Sequence, residues 1–231
     1  MNDLIAKLRH GLIVSCQSEG DDPFNHPDLL AKFATAAHMG GAAAIRAQGV
    51  ENIKAIRSEV DIPIIGITKG QFANGWVCIT PDFPDIESLI DAGADIIALD
   101  VTPRKRPNGL DGVEFFDDVR EKFNIPLMAD ISTFEEGIRA AEMGADLVAT
   151  TLAGYTEYTE KHSTDSPDFE LIERLSRSIK VPLIAEGRIW SPEHAKQALL
   201  SGAHAVVVGT AITRPRVITR KFVDTMLSKI N

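Results

Sequence analysis

The sequence predicts an α/β protein, a single (β/α)8 TIM barrel over residues 1–231, and three observations carry that reading. The first is a pattern written three times: Ile62-Pro63-Ile64-Ile65-Gly66-Ile67-Thr68-Lys69, Ile125-Pro126-Leu127-Met128-Ala129-Asp130 and Val181-Pro182-Leu183-Ile184-Ala185-Glu186. Each is a short apolar run opened by proline and closed by an ionisable residue, the signature of a strand buried on both faces. Second, each is followed by a helix-like stretch and then by another apolar run introduced by Gly-Ala, at Gly93-Ala94-Asp95, Gly144-Ala145-Asp146 and Gly202-Ala203-His204. Buried strands alternating with helices build a parallel sheet. Third, no Gly-x-Gly-x-x-Gly turn follows the first strand, which disfavours the main rival, an open doubly wound sheet.

In chain order the eight expected strands are Gly11–Gln17, Ala42–Arg46, Ile62–Lys69, Ile96–Asp100, Ile125–Asp130, Leu147–Thr151, Val181–Glu186 and Ala205–Gly209. The stretches between them carry helix signals. Ser132-Thr133-Phe134-Glu135 has the spacing of a capping box, with Gly144 as the stop. Ser191-Pro192-Glu193 is a cap followed by proline at the first helical position, with Gly202 as the stop. Near the C-terminus Val217, Ile218, Phe222, Val223, Met226, Leu227 and Ile230 recur at helical spacing.

Composition narrows the class. Hydrophobic residues make up 44% of the chain and charged ones 25%, enough for one large core without a biased tract. The formal net charge of −9 argues against nucleic acid or an anionic membrane as the main partner. The one basic cluster, Arg104-Lys105-Arg106, lies among Pro103, Pro107 and Gly109. It reads either as a solvated loop or as a rim loop that attracts an anionic substrate. Cys16 and Cys78 are the only cysteines, and no signal peptide or apolar run of membrane length is seen, so a reduced, cytoplasmic protein is expected.

Barrel enzymes place their chemistry where strands end. Those ends offer Gln17, Arg46, Lys69, Asp100, Asp130, Thr150-Thr151, Glu186-Gly187-Arg188 and Gly209-Thr210. Any one of these could be polar merely because strand ends meet water. Together they set a base, an acid, two guanidiniums and an amide around one mouth. Lys69 closes an apolar run just before Gly70, where partial desolvation suits a lysine to proton transfer. Asp130 reads either as a site residue or as a cap for the next helix. The loops after strands seven and eight, Gly187-Arg188 and Gly209-Thr210 with Arg214 beyond, match the common phosphate position of this fold. None of the six histidines falls at a strand end or pairs at metal-ligand spacing, so no metal is expected. No Gly-x-Ser-x-Gly elbow supports acyl transfer.

Ser15-Cys16-Gln17, Ala44-Ile45-Arg46-Ala47, Ile65-Gly66-Ile67-Thr68-Lys69, Met128-Ala129-Asp130-Ile131-Ser132, Thr150-Thr151-Leu152-Ala153-Gly154-Tyr155-Thr156 and Ala185-Glu186-Gly187-Arg188 together resemble the N-acetylmannosamine-6-phosphate 2-epimerase family. The resemblance runs over nearly the whole chain. It implies interconversion of N-acetylmannosamine 6-phosphate and N-acetylglucosamine 6-phosphate in amino-sugar or sialic acid breakdown, with no cofactor. It implies that Lys69 and Glu186 exchange the proton at C2. It implies sugar contacts from Gln17, Arg46 and Asp130, and phosphate contacts around Gly187, Arg188, Gly209, Thr210 and Arg214. Two other functions remain open on the same barrel. One is a Schiff-base aldolase with Lys69 as nucleophile, which borohydride trapping would reveal. The other is a silent sugar-phosphate sensor, which a turnover assay would separate. A homo-oligomer is left open.

Overall fold

The computed structural model describes residues 3–162 and 165–228. Eight parallel strands close into the expected barrel: β1 (Leu12–Cys16), β2 (Ala44–Gln48), β3 (Ile64–Ile67), β6 (Ile96–Asp100), β7 (Leu127–Asp130), β8 (Leu147–Ala149), β9 (Leu183–Glu186) and β10 (Ala205–Val208), with β10 pairing back to β1. Between β3 and β6 stands a two-stranded antiparallel hairpin, β4 (Lys69–Gln71) and β5 (Val77–Ile79). The helices are α1 (Asp3–Ala6), α2 (Pro27–Met39), α3 (Val50–Glu59), α4 (Phe83–Asp91), α5 (Gly112–Lys122), α6 (Phe134–Glu142), α7 (Phe169–Ser178), α8 (Pro192–Leu200), α9 (Thr210–Thr213) and α10 (Pro215–Leu227).

Strand alternation divides the core into two layers. Ile64, Ile97, Leu99, Leu127, Ala129 and Val206 belong to the cluster shared with the helices. Ile13, Ala44, Ile67, Ala98, Met128, Ala149, Ile184 and Val207 belong to the cluster inside the barrel. Counting two residues on from those interior positions gives Ser15, Arg46, Lys69, Asp100, Asp130, Thr151, Glu186 and Gly209. Because side chains of a strand repeat every two residues, the apolar interior itself selects what crowns it.

The Gly-Ala-Asp repeats clamp the opposite end. The Asp95 carboxylate accepts from the Ile64 backbone N–H and pairs with Arg57. Asp146 likewise accepts from the Leu127 N–H and pairs with Arg120 at 2.6 Å. Each locks the start of one proline-led strand to the next strand in the barrel. In the third repeat His204 takes this place and turns its ring to the Ile5 carbonyl, while Ile5 and Leu8 plug the barrel floor.

Three expectations need correction. The third strand stops at Ile67, and Lys69 opens the hairpin β4–β5 instead of closing a barrel strand. Asn74-Gly75, with Gly75 at φ +87°, supplies the turn. The capping box of α6 sits one residue later than its sequence spacing suggests: Thr133 caps the backbone of Glu136, and Glu136 bonds back to the Thr133 N–H. The basic cluster does stand in a rim loop, the one after β6, but it is neither solvated nor turned to a substrate: Arg104 and Arg106 are buried, only Lys105 faces water, and none of the three lines the main cavity. The C-terminal residues at helical spacing do form a helix, α10, and its apolar face is open: Phe222, Val223, Met226 and Leu227 are all exposed and no residue of the helix is buried. Ile230, expected on the same face, lies outside the described residues. Among those residues no helix is long and apolar enough to cross a membrane.

The capping geometry makes a direct prediction. Thr133→Ala should lower unfolding free energy by about 1 kcal/mol, the usual worth of an N-cap. Glu135→Ala should change it by less than about 0.5 kcal/mol, as at an ordinary surface position. Urea denaturation of the two variants checks the register.

Candidate active site

The mouth of the barrel is organised around a guanidinium with almost no access to water. Arg46, 1% exposed in the middle of β2, which runs two residues beyond its expected end, forks onto Asp130 at the end of β7, with Nη1 donating to Oδ1 at 3.1 Å and Nη2 to Oδ2 at 2.6 Å. Its Nη1 also lies 3.1 Å from Oε2 of Glu186, at the end of β9. Thr151 completes the cluster, its hydroxyl 2.6 Å from Asp130 Oδ1 and 3.2 Å from Glu186 Oε2. Next door, Thr150 Oγ1 donates to the Glu186 carbonyl at 2.9 Å and accepts from the Glu186 N–H at 3.1 Å, which pins the end of β9 to the loop after β8.

Charge counting fixes the state of this group. One guanidinium serves two carboxylates, so the fully ionised cluster carries a net negative charge with little water to solvate it. Burial pushes the Glu186 carboxyl up to about 7, with Arg46 opposing the rise and Asp130 adding to it. Burial alone would pull Arg46 down, but Asp130 and Glu186 outweigh it and hold the guanidinium firmly charged. Glu186 is thus a carboxyl that takes up and gives up a proton near neutrality, the property required of an acid–base catalyst.

Above the cluster opens a cavity of about 510 Å³ lined by Gln17, Arg46, Lys69, Glu186, Gly187, Arg188, Gly209, Thr210 and Arg214 among others. Every residue implied by the family resemblance lines it except Asp130, which is fully buried behind Arg46 and touches Arg46 and Thr151; of the other strand-end candidates Thr151 lines it, and Asp100 and Thr150 do not. Asp130 is not the cap of the following helix, since Thr133 fills that role. Lys69 enters from the hairpin and is ion-paired with Glu19. Gln17 donates from its side-chain amide to Ser15 Oγ at 2.7 Å, and its backbone carbonyl accepts from Arg214 Nε at 3.3 Å.

The loops after β9 and β10 hold unusual backbone. Gly187 at φ +111° is followed by Arg188 at φ +54°, a left-handed pair that a side chain at position 187 would strain. Arg188 is held there by its bond to the Ala153 carbonyl at 2.8 Å and by the Tyr155 ring 4.5 Å away. Gly209 caps α9, and a Cβ there would come within 3.2 Å of Ser15.

Sequence reasoning missed Glu19 and the hairpin wall of Trp76, Val77 and Ile79, all of which line the cavity. The Asn-Gly turn was the available signal for the hairpin. Its foundation is the buried basic cluster. Arg106 donates to the Thr80 carbonyl at 3.0 Å, to Cys78 Sγ at 3.3 Å and to the Asp100 carbonyl. Arg104 pairs with Asp100 at 2.8 Å and stacks on Phe72 at 4.4 Å. Burial also pushes the Cys78 thiol up to about 11 and Cys16 up to about 12, which makes both structural rather than reactive. No group of histidine, cysteine and acidic residues among the described residues could hold a metal ion.

Comparison with known proteins bears on the family and the fold. A family model described as "Putative N-acetylmannosamine-6-phosphate epimerase" matches residues 30–228. A relative from Caldanaerobacter subterraneus subsp. tengcongensis, described as "Putative N-acetylmannosamine-6-phosphate 2-epimerase", is 54% identical over 222 residues, covering 96% of this chain and 93% of its own. A relative of the same description from Clostridium perfringens is 46% identical over 217 residues, covering 94% and 97%. The solved structure of the N-acetylmannosamine-6-phosphate 2-epimerase from Clostridium perfringens superposes with a TM-score of 0.89 at 45% identity, covering 96% of each chain. A thiamine phosphate pyrophosphorylase from Pyrococcus furiosus, at 18% identity and a TM-score of 0.61, shares the fold alone.

Asp130→Ala removes the bidentate partner of a buried guanidinium and leaves Glu186 as its remaining counter-charge. It should lower unfolding free energy by about 1.5–3 kcal/mol, the worth of hydrogen bonds to a charged group. Guanidinium denaturation checks it. A loss under about 1 kcal/mol would show that Arg46 does not depend on Asp130.

Proposed function

The chain belongs to the N-acetylmannosamine-6-phosphate epimerase family, and we propose that its cavity interconverts N-acetylmannosamine 6-phosphate and N-acetylglucosamine 6-phosphate, with Lys69 and Glu186 exchanging the proton at C2. One observation carries the assignment of roles. Two ionisable groups reach the same cavity from opposite sides of the barrel, one of them a carboxyl raised to about 7.

The chemistry needs such a pair. In the ring-opened sugar C1 is an aldehyde, which acidifies the hydrogen on C2. Removing that proton gives an enolate, and returning a proton to the other face inverts the centre. Glu186 takes or gives the proton on one face and Lys69 serves the other. The Arg46 cation, beside Glu186, stabilises negative charge that develops on the enolate oxygen. Asp130 works through Arg46 by holding the guanidinium in place. Gln17 offers an amide to the sugar hydroxyls. The phosphate lies toward Gly187, Arg188, Gly209, Thr210 and Arg214, where backbone donors and the Arg214 fork suit a dianion. Held away from C2, it provides remote binding that fixes the geometry of the reacting carbon.

The test of the reaction is incubation with N-acetylmannosamine 6-phosphate in D2O. Both sugars should accumulate with deuterium at C2, read by NMR. Interconversion without solvent deuterium would exclude deprotonation at that carbon.

Lys69→Ala and Glu186→Ala should each lower turnover by about two to four orders of magnitude, while substrate binding changes much less. A variant that keeps more than about a tenth of the activity removes its residue from the chemical step. The pH profile tests Glu186 further. As the base it must be ionised, so kcat/KM in that direction should fall as pH drops through about 7. A carboxyl at the ordinary 4.5 would leave the rate flat across that range. Thr151→Val removes a hydrogen bond that favours the ionised form, so the limb should move to higher pH.

The phosphate end makes its own prediction. Arg214→Ala should weaken binding of the phosphorylated sugar by about ten- to a hundredfold, the worth of a charge-assisted hydrogen bond. Residual activity on unphosphorylated N-acetylmannosamine should not fall. Equal loss on both sugars would mean that Arg214 supports the barrel rather than the phosphate.

A further inference from the structure

The cavity holds one acidic side chain for which the proposed reaction has no role. Glu19, in the loop after β1, is ion-paired with Lys69, and its Oε1 lies 3.6 Å from Arg214 Nη2. All three side chains line the cavity. Among the described residues Glu19 is the only ion-pair partner of either cation. A single anion is therefore shared by the lysine assigned to C2 and the arginine assigned to the phosphate.

We propose that Glu19 couples phosphate recognition to catalysis, as an internal anion that occupies Lys69 until the phosphate of the substrate takes over Arg214. This rests on the epimerase reaction proposed above and assigns it a specificity-determining residue. A lysine whose hydrogens are aimed at Glu19 is not aimed at C2. A phosphate dianion on Arg214 removes one of the two attractions that hold Glu19 and adds repulsion beside it. Glu19 can respond because its side chain is 49% exposed and the next residue, Gly20, is exposed at φ +60°. Released, the carboxylate turns to water and Lys69 is left facing the sugar. Burial would raise the Glu19 carboxyl, but Lys69 and Arg214 outweigh it and hold it below the ordinary carboxylate value. At neutral pH it is thus a full anion and a true competitor of the phosphate. The phosphate acts twice, once to hold the sugar and once to free the lysine.

The experiment measures deuterium uptake at C2 of N-acetylmannosamine, with and without its 6-phosphate, in wild type and Glu19→Gln. Glutamine keeps the shape and removes the charge. The variant should exchange the unphosphorylated sugar about fivefold faster than wild type, the factor expected for a half-exposed ion pair. On the phosphorylated sugar kcat should stay within about twofold while KM falls, because a repelling charge is gone. Inorganic phosphate added with the unphosphorylated sugar should accelerate wild type and have less effect on the variant. Equal loss on both sugars would overturn the proposal, since Glu19 would then merely hold Lys69 in place. An unchanged preference for the phosphorylated sugar would overturn it too, with the epimerase reaction left standing. Absence of C2 exchange on the phosphorylated sugar in wild type would overturn both.

Discussion

One guanidinium shared between two carboxylates is the constraint on which the site depends. Arg46 cannot neutralise Asp130 and Glu186 together, and water reaches only the Glu186 edge of the cluster. The shortfall falls on Glu186, because Asp130 takes the bidentate fork and Glu186 receives a single contact. Glu186 is also the carboxyl that borders the cavity. The asymmetry of the two contacts thus separates a carboxylate held behind the arginine from one that faces the cavity with a raised affinity for protons, although both are acidic residues at strand ends. Thr151 sharpens the separation by standing closer to Asp130 than to Glu186.

A second shared charge lies across the mouth, with its signs reversed. There one carboxylate, Glu19, serves the two cations Lys69 and Arg214. The two clusters differ in what they rest on. Arg46, Asp130 and Glu186 stand on barrel strands, which hold them to a fixed geometry. Lys69 stands on a hairpin and Glu19 on a loop, so this half of the site can rearrange. The hairpin is nevertheless anchored from below. Arg104 and Arg106 reach it from the loop after β6 and tie it to Asp100. Asp100, a strand-end acid like Asp130, is committed to that anchor, and it is absent from the cavity wall.

How much of this was legible in the sequence follows from the range of each interaction. The barrel was legible because strand period and proline position are local. So was the crown of the barrel, since each of its residues follows an interior apolar residue by two positions in the chain, whether or not the strand itself runs that far. The family resemblance then singled out Lys69 and Glu186 from that crown. The hairpin escaped because its strands are three residues each and Lys69 appeared to complete the preceding apolar run. Arg104-Lys105-Arg106 escaped because a charge run among prolines and glycine reads as solvated. Its burial depends on Asp100, Phe72, Thr80 and Phe115, contacts that only the folded chain brings together. The capping box slipped by one residue because adjacent Ser132-Thr133 and adjacent Glu135-Glu136 offer two equivalent registers. Asp130 was ambiguous for a similar reason, since its partner Arg46 lies 84 residues away.

The central claim is that burial beside an oversubscribed arginine holds Glu186 near neutrality. The most direct measurement is a 13C NMR titration of the Glu186 side-chain carboxyl in the free protein, assigned by comparison with Glu186→Gln. The account predicts a midpoint at about 7, displaced upward from the ordinary 4.5. A midpoint at the ordinary value would contradict it, because Arg46 would then be neutralising both carboxylates at once.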